Sequence, residues 1–251
     1  MVVLRFNRAM RRSALALAGL IPAVQGALAA ETIGVVATAE NRITGTLDQR
    51  VRDLKVSQDI FRNEVIQTHD GASTQLLFLD ETTLTLGPNS QVTLDEMVYD
   101  PQSGVGSVAL SVVRGAAKFV TGVQDPKAYL IKTPTSNIGI RGSGIGIFVG
   151  ATQTLIVLLE GLAIVNNLLG VTQILDQVGT YTIVGGQNTP PSTPAPAPPS
   201  LLGRFGGALG AGPLLLPTGV EQPPLQNLPV DVQELISNAT SAGLPQTISG
   251  S

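Results

Sequence analysis

The sequence contains no cysteine, no tryptophan and a single histidine, His69. Without thiols there are no disulfides, thiolate metal sites or cysteine nucleophiles. One histidine leaves little material for an acid–base centre. Charge is scarce too, at 13% of the 251 residues, and that scarcity raises a membrane reading. A spanning helix needs about 20 nearly continuous apolar residues. The longest apolar stretch beyond the N-terminus, residues 155–169, is interrupted by Glu160, Gly161, Asn166 and Asn167. No transmembrane helix is therefore expected in the mature chain. The charge deficit instead reflects Val, Ile, Leu, Thr, Ser and Gly, a composition that favours strands.

The net charge is −3. Four of the 15 basic residues, Arg5, Arg8, Arg11 and Arg12, precede residue 30, leaving 11 basic against 18 acidic, or about −7. Mild acidity with no basic patch argues against a nucleic-acid partner. Those four arginines are followed by an apolar run, Ser13 to Ala29, ending in Ala27-Leu28-Ala29. Basic, apolar and small-residue regions in that order form a secretory signal peptide. Cleavage is expected after Ala29 or at the next bond, with export to the periplasm or beyond; Arg11-Arg12 invites a twin-arginine route, but Ser13-Ala14-Leu15 fits that motif poorly and favours the general secretory one. No cysteine follows the site, so a lipid anchor there is excluded.

From about residue 30 to 188 the chain reads as short strands between turns. Thr82–Leu86 alternates polar and apolar, Gly87-Pro88-Asn89-Ser90 breaks it, and Gln91–Leu94 resumes. A period of two places Leu84, Leu86, Val92 and Leu94 on one face and the threonines on the other. Further strands are expected at 107–113, 117–121, 129–133, 145–149, 154–159, 163–166, 172–175 and 181–184. Turns every 8–12 residues suit an antiparallel-rich β-sandwich or roll. Residues 47–54 offer the one weak helical alternative. Twelve of the 17 prolines lie after residue 188. The run Pro190–Pro199 predicts polyproline II. Residues 189–251 are thus expected to be a Pro/Gly-rich, largely disordered tail, with room for a short helix at 230–239.

Four ordered stretches resemble the FecR domain family. Residues 59–68 (DIFRNEVIQT) resemble its opening strand. Residues 70–90 (DGASTQLLFLDETTLTLGPNS) resemble its strand–turn–strand unit and terminal Gly-Pro-Asn-Ser. Residues 133–143 (TPTSNIGIRGS) resemble its Thr-Pro and Gly-Val-Arg-Gly signature, and 157–161 with 177–180 resemble its closing strands. The resemblance singles out Gly71, Gly87, Pro88, Asn89, Ser90, Pro134, Gly139, Arg141, Gly142, Glu160, Gly161 and Gly179 as structural or partner-binding positions. Glu81 stands where the family usually has glycine. Regulators of this family carry a cytoplasmic segment and a membrane helix before the domain. Only a signal peptide is read here, which argues against an anti-sigma role.

Gly71, Gly139, Gly142, Gly161 and Gly179 are expected at strand ends, where positive φ or close approach is needed. Arg141 either pairs with Glu160 or recognises an anion. His69 beside Asp70 reads as a turn residue. Ser143 is not a nucleophile elbow, because Arg141 occupies the glycine position two before it. Asp95, Glu96 and Asp100 lack the spacing of a calcium loop. No catalytic, cofactor or metal residue is expected. The sequence predicts a non-catalytic binding or assembly module with an envelope protein as partner. Its alternative is a periplasmic sensor of a small ligand, such as a metal chelate, signalling through a separate protein.

Overall fold

A computed structural model describes residues 30–100 and 106–206. The proposed signal peptide and the 230–239 helix lie outside them. The strands are β1 (Thr32–Glu40), β2 (Ile43–Leu47), β3 (Arg50–Asp53), β4 (Asp59–Phe61), β5 (Val65–Thr68), β6 (Ser73–Phe78), β7 (Thr83–Leu86), β8 (Gln91–Tyr99), β9 (Gly106–Val120), β10 (Tyr129–Lys132), β11 (Ser136–Val149), β12 (Thr154–Asn167), β13 (Thr172–Leu175), β14 (Thr180–Val184) and β15 (Ala195–Pro196). One helix, α1, spans Pro199–Gly206.

All ladders are antiparallel except β9–β10. Three long strands organise them. The first half of β9 lies between β8 and β10, and its second half between β7 and β11. β12 follows β11 throughout, while its other side pairs with β14 near the start and β13 near the end. One half-sheet therefore runs β4-β1-β6-β7-β9-β11-β12-β14-β15. The other runs β3-β2-β5-β8-β9-β10-β11-β12-β13. The long strands pass from one to the other, and the sheet closes on itself around one core. This is the all-β, antiparallel-rich roll expected.

The strands expected separately at 107–113 and 117–121 are one strand, as are those at 154–159 and 163–166. Positive-φ glycines lie inside the long strands: Gly115 of β9 at φ 89°, and Gly142 of β11 at 57° and Gly161 of β12 at 72°, where the β11–β12 register shifts. Bulges of this kind turn a strand without ending it. Residues 47–54 are no helix but the β2–β3 hairpin. Asp48 and Gln49 are both at positive φ, the geometry a two-residue hairpin turn requires.

Leu84 and Leu86, with Val92 and Leu94 of β8, are fully buried in the main core as read, although Thr85 between them is buried too. Residues 155–159 are instead buried continuously. Ile156 and Leu158 face the main core; Leu155, Val157 and Leu159 face a second cluster with Phe148, Ala197, Leu201, Leu202 and Phe205. A strand covered on both faces needs no polar side.

That second cluster is completed by residues past 188. Ala195–Pro196 adds to the edge of β14, Ala197 and Pro198 are buried, and α1 lies over the outer face of β11 and β12. A proline-rich segment can do this because it contributes few donors to satisfy and its φ is already near extended values.

Candidate recognition surface

Most of the motif residues build corners. At Gly87-Pro88-Asn89-Ser90, the Thr68 hydroxyl donates to Gly87 O at 2.6 Å and accepts from Ser90 N at 2.9 Å. Buried Ser90 uses its Oγ twice on β9, donating to Ala116 O at 3.0 Å and accepting from Ala116 N at 2.9 Å. Gly115 lies against that serine, where a Cβ would stand 2.7 Å from Ser90 Cβ. Asn89, at φ 54°, donates to Asp70, and Gly71, at φ 61°, accepts from Asn41. His69 Nε2 stands 3.2 Å from Thr44 Oγ1 in the same corner. These contacts tie β5, β7, β8 and β9 together.

Pro134 is exposed in the β10–β11 turn, above buried hydroxyls of Thr133, Thr135, Ser136 and Thr154 that bond one another. Gly139 is a correction. It lies inside β11, and an added Cβ would be 4.0 Å from Ile164 Cβ, an ordinary contact. Gly142 and Gly161 also lie within strands, at bulges rather than ends. Gly179, at φ 82°, does stand at a strand end, where its carbonyl accepts from Ala197 N at 2.7 Å.

Arg141 and Glu160 are exposed at the bulge shared by β11 and β12, not embedded. Asp95 pairs with Lys132 at 3.7 Å and accepts from Ser111, and Glu96 accepts from Ser107.

Two buried carboxylates escaped the residue-by-residue reading. Glu64 is fully buried and receives Arg52 Nε and Nη2, each at 2.9 Å, plus Phe61 N at 3.0 Å. The Arg52 guanidinium stacks 4.9 Å from the Phe61 ring centre. Gly45 leaves the space for this carboxylate. Asp80 is likewise fully buried. Its Oδ2 accepts from Thr82 Oγ1 at 2.8 Å, Gln124 Nε2 at 2.9 Å and Tyr129 Oη at 3.1 Å, while Oδ1 accepts from Thr82 N. Burial, with the Asp80 charge adding to it, pushes the Tyr129 hydroxyl above its ordinary pKa. Each carboxylate is spent on neighbouring donors within the fold.

Five exposed apolar residues, Leu168, Leu169, Val171, Ile174 and Val178, lie on or beside β13. Among the described residues β13 has a ladder only with β12, and residues 161–175 carry no charge. Natural edges are usually guarded by charge, proline or a bulge. This edge has none of them.

The model of the family described as FecR protein matches residues 64–163. Over those 100 of its 251 residues the chain is similar to the FecR family. The matched span begins at the buried Glu64 and includes the Gly-Pro-Asn-Ser corner, the Asp80 cluster and the Arg141 bulge. Two crystal structures of a candidate anti-sigma factor from Parabacteroides distasonis are similar at 13% identity and a TM-score of 0.46, covering 57% of this chain. The chain spans 64% and 65% of theirs. None of the curated proteins matches it.

Proposed function

We propose that this FecR-like domain is a non-catalytic regulatory module, exported to the cell envelope, that binds a protein partner through its sheet edge. The observation that carries the reading is the uncharged, apolar β13 edge beside Leu168, Leu169 and Ile174. An extended segment added there gains main-chain hydrogen bonds and side-chain pockets without any reactive group. The family match supports a regulatory role. The reactive-looking residues support the absence of chemistry, because His69, Glu64 and Asp80 are engaged in holding corners.

The test is capture of a stoichiometric partner from an envelope extract by the full chain, compared with Ile174→Lys. A charge on an exposed edge position should abolish capture and leave the melting temperature unchanged. Equal capture by both would remove the edge from the reading.

The family match also favours a second reading, a sensor of a small ligand such as a metal chelate that signals through a separate protein. A thermal shift of the full chain on adding a ferric chelate, in the absence of any captured protein, would support it instead.

A further inference from the structure

The outer face of β11, β12 and β14 is already occupied by a segment of the chain itself. Residues 190–198 cross the β14 edge in extended form: Ser192 N donates to Ile183 O at 2.9 Å and Ala197 N to Gly179 O at 2.7 Å. Ser192 Oγ accepts from Ile183 N at 3.0 Å, and the Thr182 hydroxyl donates to Ser192 O at 2.7 Å. The chain then turns into α1, which buries Leu201, Leu202 and Phe205. The Phe205 ring sits directly over Gly146, whose missing side chain leaves the notch it fills. It meets the Phe148 ring at a centroid distance of 4.8 Å and a tilt of 54°. Lys118 faces Gly146 across the β9–β11 ladder, and burial lowers its pKa.

Two features make this strap separable. None of its residues belongs to the main core, so its release leaves that core closed. Its prolines at 190, 191, 194, 196, 198 and 199 have no N–H to give, so few main-chain bonds hold it. A helix of eight residues also does not persist in water without its docking surface.

We infer that this face is a peptide-recognition site held shut in cis by residues 190–206. Its ligand is a partner segment of the same chemistry, a proline-bearing strand entering a short helix with two adjacent leucines and a phenylalanine three residues beyond the second. The strand supplies main-chain bonds to the β14 edge, the leucines cover Leu155, Val157 and Leu159, and the ring reads the Gly146 notch. This rests on the reading of the domain as a recognition module and adds a second face, apart from the β13 edge, and what that face selects.

The probe is a fluorescent peptide of residues 189–206, titrated against the full chain and followed by anisotropy. The Leu201→Ala/Phe205→Ala chain, with its own strap weakened, should bind the peptide about tenfold or more tightly than the unaltered chain does. Replacing the peptide's phenylalanine with alanine should cost about tenfold or more. A folded double variant, checked by circular dichroism, that ignores the peptide overturns the proposal, as does equal binding of the alanine peptide. Hydrogen exchange on the unaltered chain is independent of any variant. The amides of Ser192, Ala197 and Leu202 should exchange about tenfold or more faster than those of Ile147 and Ile156. Equal rates would mean the strap opens only with the whole domain and would overturn it. Partner capture through the β13 edge is read separately, so the strap can fail while the recognition reading stands.

Discussion

Asp80 is the residue on which the corner between β6, β7 and β10 depends. Replacing it with alanine strands the Thr82 hydroxyl, the Gln124 amide and the Tyr129 hydroxyl, all within 3.1 Å of its Oδ2. Unsatisfied buried groups cost about 1–3 kcal/mol each, and some of them will find water on relaxation. Asp80→Ala should therefore lose about 3 kcal/mol in urea denaturation, against about 1 kcal/mol for Tyr129→Phe.

Tyr129 also sets an alkaline limit. Its pKa is raised above 10.0, first by burial. The unfolded chain begins to lose that proton near pH 10 while the folded chain keeps it. The stabilisation is complete below about pH 10 and disappears as pH rises through the folded value. Burial raises Tyr181 in the same direction. Stability should fall above about pH 10, and a Tyr129→Phe/Tyr181→Phe chain should show a flatter decline by chemical denaturation.

Glu81 sits at φ 68° in the turn after Asp80, the left-handed region that glycine enters without strain. The turn keeps a glycine-like backbone and bears the strain of a side chain. Glu81→Gly should raise stability by about 0.5 kcal/mol, the relief of that strain exceeding the entropy glycine adds to the unfolded chain. A lowered denaturation midpoint would show that Glu81 makes a compensating contact. The Glu81 position was legible, because the resembled family has glycine there. The Asp80 network was not, since beyond Thr82 its donors come from positions 124 and 129, in a part of the chain that no spacing rule connects to it.

At the scale of elements, the sequence reading found the strands and missed their continuity. Alternation over 83–86 and 91–94 reports a face directly, because each side chain either meets the core or does not. Gly115, Gly142 and Gly161 look like strand terminators in a sequence, whereas here they lie within β9, β11 and β12. The distinction depends on which partner strand continues past the glycine, which is a property of the fold. Gly115 is the strictest of them, since positive φ and contact with Ser90 exclude a side chain together. Gly115→Ala should cost about 2–4 kcal/mol. Ser90→Gly should not recover the loss, because the Ser90 Cα remains 2.5 Å from the added Cβ and the Ala116 amide loses its bond to the Ser90 hydroxyl. Recovery in the double variant would show that the Ser90 side chain alone sets the cost.

The described residues form a closed roll with a second, smaller core added by the strap at residues 190–206, and composition hid that addition. A run of prolines followed by glycine and leucine is what a free linker looks like, and two turns of helix offer too few positions for a periodic signal. Leu201, Leu202 and Phe205 are its buried anchors, and the conformational entropy of ordering the strap opposes the gain from burying them. A chain ending at Gln187 should melt about 5 °C lower than one ending at Gly206, since a domain of this size shifts about 2–4 °C per kcal/mol. It should also bind a hydrophobic dye, because the outer face of Phe148, Leu155, Val157 and Leu159 then meets water. Melting together with no dye bound would mean that the strap covers that face without contributing to the fold.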